Sequence, residues 1–297
     1  MLCTEERGRL INALQQDGDL RVLRRLDLSR LAPQSIAKGT ANLSVAAVVD
    51  VETTGLDAND DKIIELAVRR IWFCGDAIAA IEPGWSWLED PGLPLPPAIQ
   101  KLTGLLDNEL AGQSIDEEQA VALLISADVV IAHSAAFDRK FVERRLPGAA
   151  GLRWACSCRD IDWEGRGFEG RSLRWLGMQT GFFYDAHRAA NDVDAVIGLL
   201  SVVNGDGARS TLSELIEKAF RSTVLVEAVG ADFAVKDLLR QRGYWWNARA
   251  KVWSIEIDID DVGDENRWLA RHVYSLEKRP RALGPRLTPR TARERYA

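Results

Sequence analysis

The sequence predicts an α/β fold: a mixed β-sheet flanked by helices, with a helical extension ahead of it and a small α+β module behind it. Three observations carry this. Apolar β-runs come first and follow one another through short turns, as antiparallel strands do. Helix and strand then alternate, which adds parallel strands and lays helices on the faces of the sheet. Near Leu212 the pattern restarts as a separate strand, helix and hairpin. A length of 297 residues suits one main domain with an appendage.

Residues 1–44 read as the helical extension. Leu10, Ile11 and Leu14 fall on one helical face, and Leu20, Val22, Leu23 and Leu26 follow. Pro33 and Lys38-Gly39-Thr40 mark a linker. No chemistry attaches to this segment, and packing against the main domain is expected.

The main domain is expected over 45–210. VAAVVDVE (45–52) is a mostly apolar β-run, broken by the turn Thr53-Thr54-Gly55-Leu56-Asp57. KIIELAVRRIWF (62–73) and AIAAIEPGWSW (77–87) read as two further strands around Cys74-Gly75-Asp76. The Pro-rich stretch 91–97 leads into a short helix, AIQKLTG, and a second helix follows at about 115–126. Next come the strand DVVIAH (128–133), the helix AAFDRKFVERRL (135–146) and the short run Trp154-Ala155-Cys156-Ser157. Helices at 171–179 and 189–203 close the domain.

The accessory module, expected over 211–277, is a β-α-β-β unit. TVLVEAV (223–229) alternates as a strand, and Asp232 is placed to cap the helix DFAVKDLLRQR, which Gly243 stops. YWW and VWSIEIDI form a hairpin around residues 247–251, with Trp253, Ile255, Ile257 and Ile259 on one face. Residues 278–297 hold seven Lys/Arg, one Glu and three prolines, and read as a basic, disordered tail.

Composition narrows the class. At 46% apolar and 28% charged the chain reads as an ordinary globular protein. MLCTEERGRL carries charge where a signal peptide needs an apolar run. The most apolar stretch, 120–132, is short and broken by Asp128. A cytoplasmic location is expected, with no membrane association. Of the cysteines, Cys3, Cys74, Cys156 and Cys158, only the last two are close; a lone C-x-C pair is a poor zinc signature, so free thiols are expected. Residues 45–210 carry 15 Lys/Arg against 26 Asp/Glu, while both flanks are net basic. An acidic centre suits a nucleic-acid partner only if its carboxylates hold metal ions, whereas basic flanks suit phosphate.

Three acidic islands carry the chemistry. Asp50 and Glu52 sit two apart at the end of an apolar strand, so their side chains share one face about 6.5–7 Å apart. Two carboxylates so placed need a cation between them to stay ionised, and hard oxygen donors point to Mg²⁺ or Mn²⁺. The second island, His133-Ser134-Ala135-Ala136-Phe137-Asp138, puts Asp138 in the first turn of a helix. There it could equally serve the helix dipole. In the third, His187 precedes Asp192 by five residues at the head of another helix.

The order D-x-E-T-T-G, H-x-x-x-F-D, H-x-x-x-x-D resembles the DEDDh branch of the DnaQ-like exonucleases, which includes the proofreading epsilon subunit of bacterial DNA polymerase III. The similarity covers residues 45–203 and takes in the D-K-I-I-E-L-A strand. It implies an RNase H-like mixed five-stranded sheet and a magnesium-dependent 3′-to-5′ exonuclease using two Mg²⁺, with Mn²⁺ able to substitute. Carried over, Asp50, Glu52 and Asp192 would bind the metal that holds the attacking water. Asp50 would bridge to the second metal, Asp138 would contribute directly or through water, and His187 would be the general base. Thr53, Thr54, Gly55 and Leu56 would position the terminal nucleotide. Phe137 would pack on base or sugar, or belong to the core. Ser134 stands where the family more often has Asn, which changes a substrate contact and removes no metal ligand.

In the module, Trp245 and Trp246 lie among Arg242, Arg249 and Lys251, the interleaving of rings and cations that single strands require. It resembles the accessory segment of some stand-alone bacterial exonucleases and, more faintly, the small modules of annealing helicases. The tryptophans could also be core, Trp253 above all. Gln179-Thr180-Gly181-Phe182-Phe183 mimics a sliding-clamp peptide, but its place inside the domain favours packing. Polymerase or clamp association is therefore not expected. The expected function is a stand-alone DNA exonuclease of repair or turnover, acting at DNA 3′ ends. An RNA or oligonucleotide nuclease and a non-catalytic single-strand-binding protein are the alternatives.

Overall fold

The structure is a computed structural model that describes residues 4–31, 43–203 and 209–296. Cys3 and the expected linker at Pro33 and 38–40 lie outside the described residues. The chain divides into two units: Met1–Ala219 with Tyr296–Ala297, and Phe220–Arg295.

In the first unit, helix α1 (Thr4–Gln16) leaves Leu10 and Leu14 exposed, so this stripe does not pack as expected. The helical reading of residues 20–26 is also corrected. After Asp17-Gly18 the chain runs extended, and β1 (Arg24–Arg25) pairs in parallel with Phe182 and Phe183. The Arg24 and Leu26 N–H groups donate to Gly181 O at 3.0 Å and Phe183 O at 2.9 Å. Those bonds replace the helical ones, and Leu26, Leu28 and Leu31 cover one flank of the core.

The central sheet begins with β2 (Ser44–Thr53), β3 (Ile63–Cys74), β4 (Ala77–Ile81) and β5 (Trp85–Leu88). The single strand expected over 77–87 splits at Glu82-Pro83-Gly84. β4 pairs with the far end of β3 and β5 with its near end, so the two share one edge position. Three helices follow, α2 (Pro97–Thr103), α3 (Asp107–Leu110) and α4 (Glu117–Ile125), then β6 (Val129–Ala132), α5 (Ala135–Arg145) and β7 (Trp154–Cys156). The remaining elements are α6 (Leu173–Thr180), β8 (Phe182–Phe183), α7 (Ala189–Leu200) and α8 (Thr211–Phe220).

The strand order is β4-β3-β2-β6-β7, antiparallel through β2 and parallel beyond it, which is the RNase H-like arrangement. β2 is buried on both faces, which explains its near-continuous apolar run. Ala46 and Val48 face α6, α7 and α8, while Ala47, Val49 and Val51 face α4 and α5. Asp50 and Glu52 continue the first of these series, so both carboxylates project toward α7.

The second unit comprises β9 (Thr223–Glu227), α9 (Lys236–Gln241), β10 (Trp245–Asn247), β11 (Val252–Asp258), α10 (Val262–His272) and β12 (Arg286–Arg290). Its antiparallel sheet has the order β10-β11-β9-β12. Three features depart from the expected module. Residues 211–219 belong to the first unit, where Leu212, Leu215 and Ala219 complete its core. A second helix, α10, buries Leu269 against β9 and β11. Residues 286–290, expected in a disordered tail, form an edge strand held by Arg286 on Glu227 at 2.6 and 2.8 Å. Pro289 is tolerated there because an edge strand needs no donor on its open side.

Cys74, Cys156 and Cys158 are free thiols. No helix among the described residues is long and apolar enough to cross a membrane.

Candidate active site

Strand β2 delivers Asp50 and Glu52 to the mouth of the sheet, where its register with β3 shifts after Glu52. The turn beyond is braced by its own side chains. Thr53 Oγ1 donates to Gly55 O at 2.6 Å, and Thr54 Oγ1 donates to Asp61 Oδ1 at 3.0 Å. A Cβ at position 55 would lie 2.5 Å from the Asp61 carboxylate, so a larger residue must push Asp61 off its bonds with Thr54 and the Asp57 N–H. Both threonine hydroxyls are thus spent on the turn, and Leu56 is left 87% exposed at its tip.

Asp138 arrives from the first turn of α5 and is buried; its Oδ1 accepts the Val51 N–H at 3.3 Å, on the strand between Asp50 and Glu52. Ser134 is exposed at the N-cap of α5. Phe137 is half-buried with its ring 4.8 Å from that of Phe141, so it packs on the core. Asp192, in the first turn of α7, is gripped at both oxygens: Tyr184 Oη donates to one at 2.9 Å and the His187 N–H to the other at 2.8 Å. His187 is exposed and sits at φ +68°, a left-handed conformation that costs a β-carbon residue energy.

Oxygens of Asp50, Glu52 and Asp192 lie within 4.8 Å of one another. Burial first, and then the neighbouring acids, raise the Asp50 carboxyl well above its ordinary range and push Glu52 up to about 8. Burial likewise pushes Asp138 up to about 7, against its backbone N–H bonds. Asp192 is also raised by burial, opposed by its bonds from Tyr184 and His187. Near neutral pH, burial and mutual repulsion disfavour four anions here unless a cation compensates them. An all-carboxylate donor set with access to solvent is what a hard divalent ion takes, so these residues fit Mg²⁺ or Mn²⁺.

Glu65 was not singled out from the sequence, although it lies in the strand that carries part of the resemblance. It pairs with Glu52 across β2 and β3 and is 1% exposed. Its carboxylate accepts Arg188 Nε at 3.0 Å, the Ala189 N–H at 3.2 Å and Ser86 Oγ at 3.0 Å. It therefore pins the N-terminus of α7, the element that carries Asp192, to the strand opposite Glu52. An acid inside an otherwise apolar strand (IIELAV) is the signal that could have found it.

In the second unit the five expected nucleic-acid residues are not brought together. Trp246 lies 5.6 Å from Trp253, but Trp245 pairs with Ser254 and projects to the other face of the sheet. Arg242 is committed to Glu265, at 3.0 and 3.1 Å, and to the Trp268 ring at 5.2 Å. Arg249 and Lys251 stand exposed in the β10–β11 turn.

Comparison with known proteins bears on the first unit. A 101-residue stretch is 32% identical to the PolC-type DNA polymerase III of Clostridium perfringens, covering 33% of this chain and 7% of that one. The PolC-type enzyme of Halalkalibacterium halodurans is 40% identical over 97 residues, 32% of this chain and 6% of that one. The DNA polymerase III epsilon subunit of Aquifex aeolicus is 28% identical over 152 residues, 49% of this chain and 73% of that one. The chain thus spans under a tenth of the PolC-type relatives. Among solved structures, exonuclease X in complex with 5′ overhanging duplex DNA is 20% identical at a TM-score of 0.42, covering 57% of this chain and 99% of that one. Escherichia coli exonuclease I with a dA16 oligonucleotide is 14% identical at a TM-score of 0.48, covering 75% and 68%. The RNase T exonuclease model matches residues 47–200, more than half of the 297, and includes all three acidic islands. The chain belongs to the RNase T exonuclease family.

Proposed function

We propose that the chain is a stand-alone 3′-to-5′ DNA exonuclease of repair or turnover. In this reading Asp50, Glu52, Asp138 and Asp192 hold two Mg²⁺, replaceable by Mn²⁺, and His187 is the general base. The observation that carries it is the meeting of acids from three separate segments beside an exposed histidine. The relatives, named as DNA polymerase III proteins, support DNA as the substrate.

Each residue has a physical task. Asp50, Glu52, Asp138 and Asp192 would hold the divalent ions, which would supply Lewis acidity at the scissile phosphate and lower the pKa of the attacking water. The four carboxylates offer hard oxygen donors, and the grip of Tyr184 and the His187 N–H fixes Asp192 in one orientation. The imidazole of His187 accepts the proton of the attacking water. The same peptide orients base and acid, because the His187 N–H bonds the carboxylate that its side chain works beside. The Thr53–Leu56 turn offers backbone groups and the exposed Leu56 side chain to the terminal nucleotide, since both threonine hydroxyls are engaged.

The test is digestion of 3′- and 5′-labelled single-stranded DNA, duplex DNA and RNA with Mg²⁺ or Mn²⁺. Stepwise loss from the 3′ end is expected, abolished by chelation and reduced roughly 10²- to 10⁴-fold in His187→Ala. Preferential cleavage of RNA would replace DNA with RNA as the substrate. Absence of cleavage on every strand would overturn the enzyme assignment.

A further inference from the structure

The exposed rings of the second unit are not randomly placed. Phe233 is 77% exposed and Trp246 50% exposed, large apolar areas for a unit this small. They are joined by a chain of neighbouring groups along one side. Lys236 Nζ lies 4.1 Å from the Phe233 ring centroid. Arg240, one turn further along α9 on the same face, has its Cζ 5.8 Å from the Trp253 ring. Trp253 then meets Trp246 at 5.6 Å. At the end of this line the β10–β11 turn carries Arg249 and Lys251. The strip runs from the capping turn of α9 to the hairpin tip.

The charge balance along it is positive. Lys236, Arg240, Arg249 and Lys251 face two carboxylates, Asp237 at 3.3 Å from Arg240 and Asp232, which caps the turn at Ala234. The exposed rings therefore offer faces for stacking while cations stand between and beside them. Planar groups linked by an anionic backbone fit this alternation, and a purely apolar peptide does not.

We infer that the strip Phe233–Lys236–Arg240–Trp246, with the hairpin cations, holds single-stranded nucleic acid by base stacking and phosphate pairing without base readout. Trp245, on the reverse face of the sheet, takes no part, and Arg242 serves the fold through Glu265. The inference relies on the nuclease reading only for the origin of the strand. A strand held on the same polypeptide as the nuclease unit raises the local concentration of ends.

Fluorescence anisotropy of a labelled oligothymidylate on the full chain, with chelator present and across a salt series, tests this. Phe233→Ala combined with Trp246→Ala is expected to weaken binding about tenfold or more. Trp246→Phe keeps a stacking face and retains most of the affinity. Lys236→Gln combined with Arg240→Gln is expected to flatten the log K against log salt plot by about 0.7 for each phosphate no longer neutralised. That pair is on the surface and keeps the test decisive if the ring variant does not fold. Trp245→Ala is expected to bind as the parent does. Unchanged affinity in both double variants, or equal losses from Trp245→Ala and Trp246→Ala, would overturn the assignment. Binding with chelator present is independent of cleavage, so failure of the nuclease reading would show in the digestion alone.

Discussion

Burial and crowding leave Glu52 pushed up to about 8 and Asp138 to about 7, whereas their ordinary values are 4.5 and 3.8. Between those limits the folded chain binds more protons than the unfolded one, so stability falls as pH rises. Asp57, Asp90 and Glu214, held low by their hydrogen bonds, lose their contribution only as pH falls through the ordinary acid range. His133, lowered by burial, acts in the opposite sense near its ordinary 6.5, one imidazole against four carboxylates. The melting temperature in chelator is therefore expected to drop between about pH 5 and 8, and Mn²⁺ to remove the drop, because ions bind the deprotonated ligands. A flat or rising profile in chelator would show that the acids do not share one site. At Glu65 a different contrast is expected. Glu65→Gln keeps one oxygen that can accept from both Arg188 Nε and the Ala189 N–H, as Oε2 does now, and should leave kcat within a few-fold. Glu65→Ala should lower kcat about tenfold or more with little change in KM, since it frees the start of α7 rather than a substrate contact. Equal kinetics for the two variants would remove Glu65 from the positioning of Asp192.

At the scale of elements, the N-terminal strap is the clearest departure from local sequence logic. Leu20, Val22, Leu23 and Leu26 suit a helix by spacing, yet the chain pairs with β8 because Gly181 and Phe183 present open carbonyls there. Phe182 lies against Gly177 and Gly198, and Leu26 lies against Gly198, where a Cβ would come 3.0 Å from its Cδ1. Leu26→Ala is expected to cost roughly 1–2 kcal/mol in denaturant unfolding, the partial-burial share of a Leu→Ala loss. No loss would mean that the strap adds nothing to the core. Elements whose signal is internal were legible. β2 is legible in its apolar run and the shared face of the acid pair in strand alternation, and α5 and α7 fall within the helices expected at 135–146 and 189–203. What depends on a distant partner was not: the parallel pairing of β1, the edge strand β12 against β9, and the role of Glu65, visible only once β3 lies beside α7. The order of the three acidic motifs survives in one dimension and points to Asp50, Glu52, Asp138, His187 and Asp192; of these, the structure brings oxygens of Asp50, Glu52 and Asp192 within 4.8 Å of one another. The ring-and-cation module was half legible, since alternation along β10 sends Trp245 and Trp246 to opposite faces and no composition count can show that.

Among the described residues the cores are separate: two layers around the central sheet with a smaller cluster of Ile64, Leu95, Leu105 and Leu110 beside them, and one built on Val224, Val226, Leu239 and Leu269. Two such units predict two calorimetric transitions, which ligands should move independently. Mn²⁺ is expected to raise the transition of the first unit by several degrees and leave the second in place. Oligothymidylate in chelator is expected to raise the second. A single transition shifted equally by both ligands would mean that the units unfold together. The charge distribution follows a different division: the net acidity is concentrated in residues 45–210, which carry the four site carboxylates, and basic residues are in excess on either side.

The left-handed backbone at His187 has a consequence for ancestry. A glycine would adopt that conformation at little cost, while any side chain bearing a β-carbon is held there against its preference. Histidine at this position therefore costs some stability, a cost that the proposed role of its imidazole would offset. In a lineage released from cleavage the loop would relax first, and glycine at position 187 would mark a descendant that had kept the fold and abandoned the chemistry.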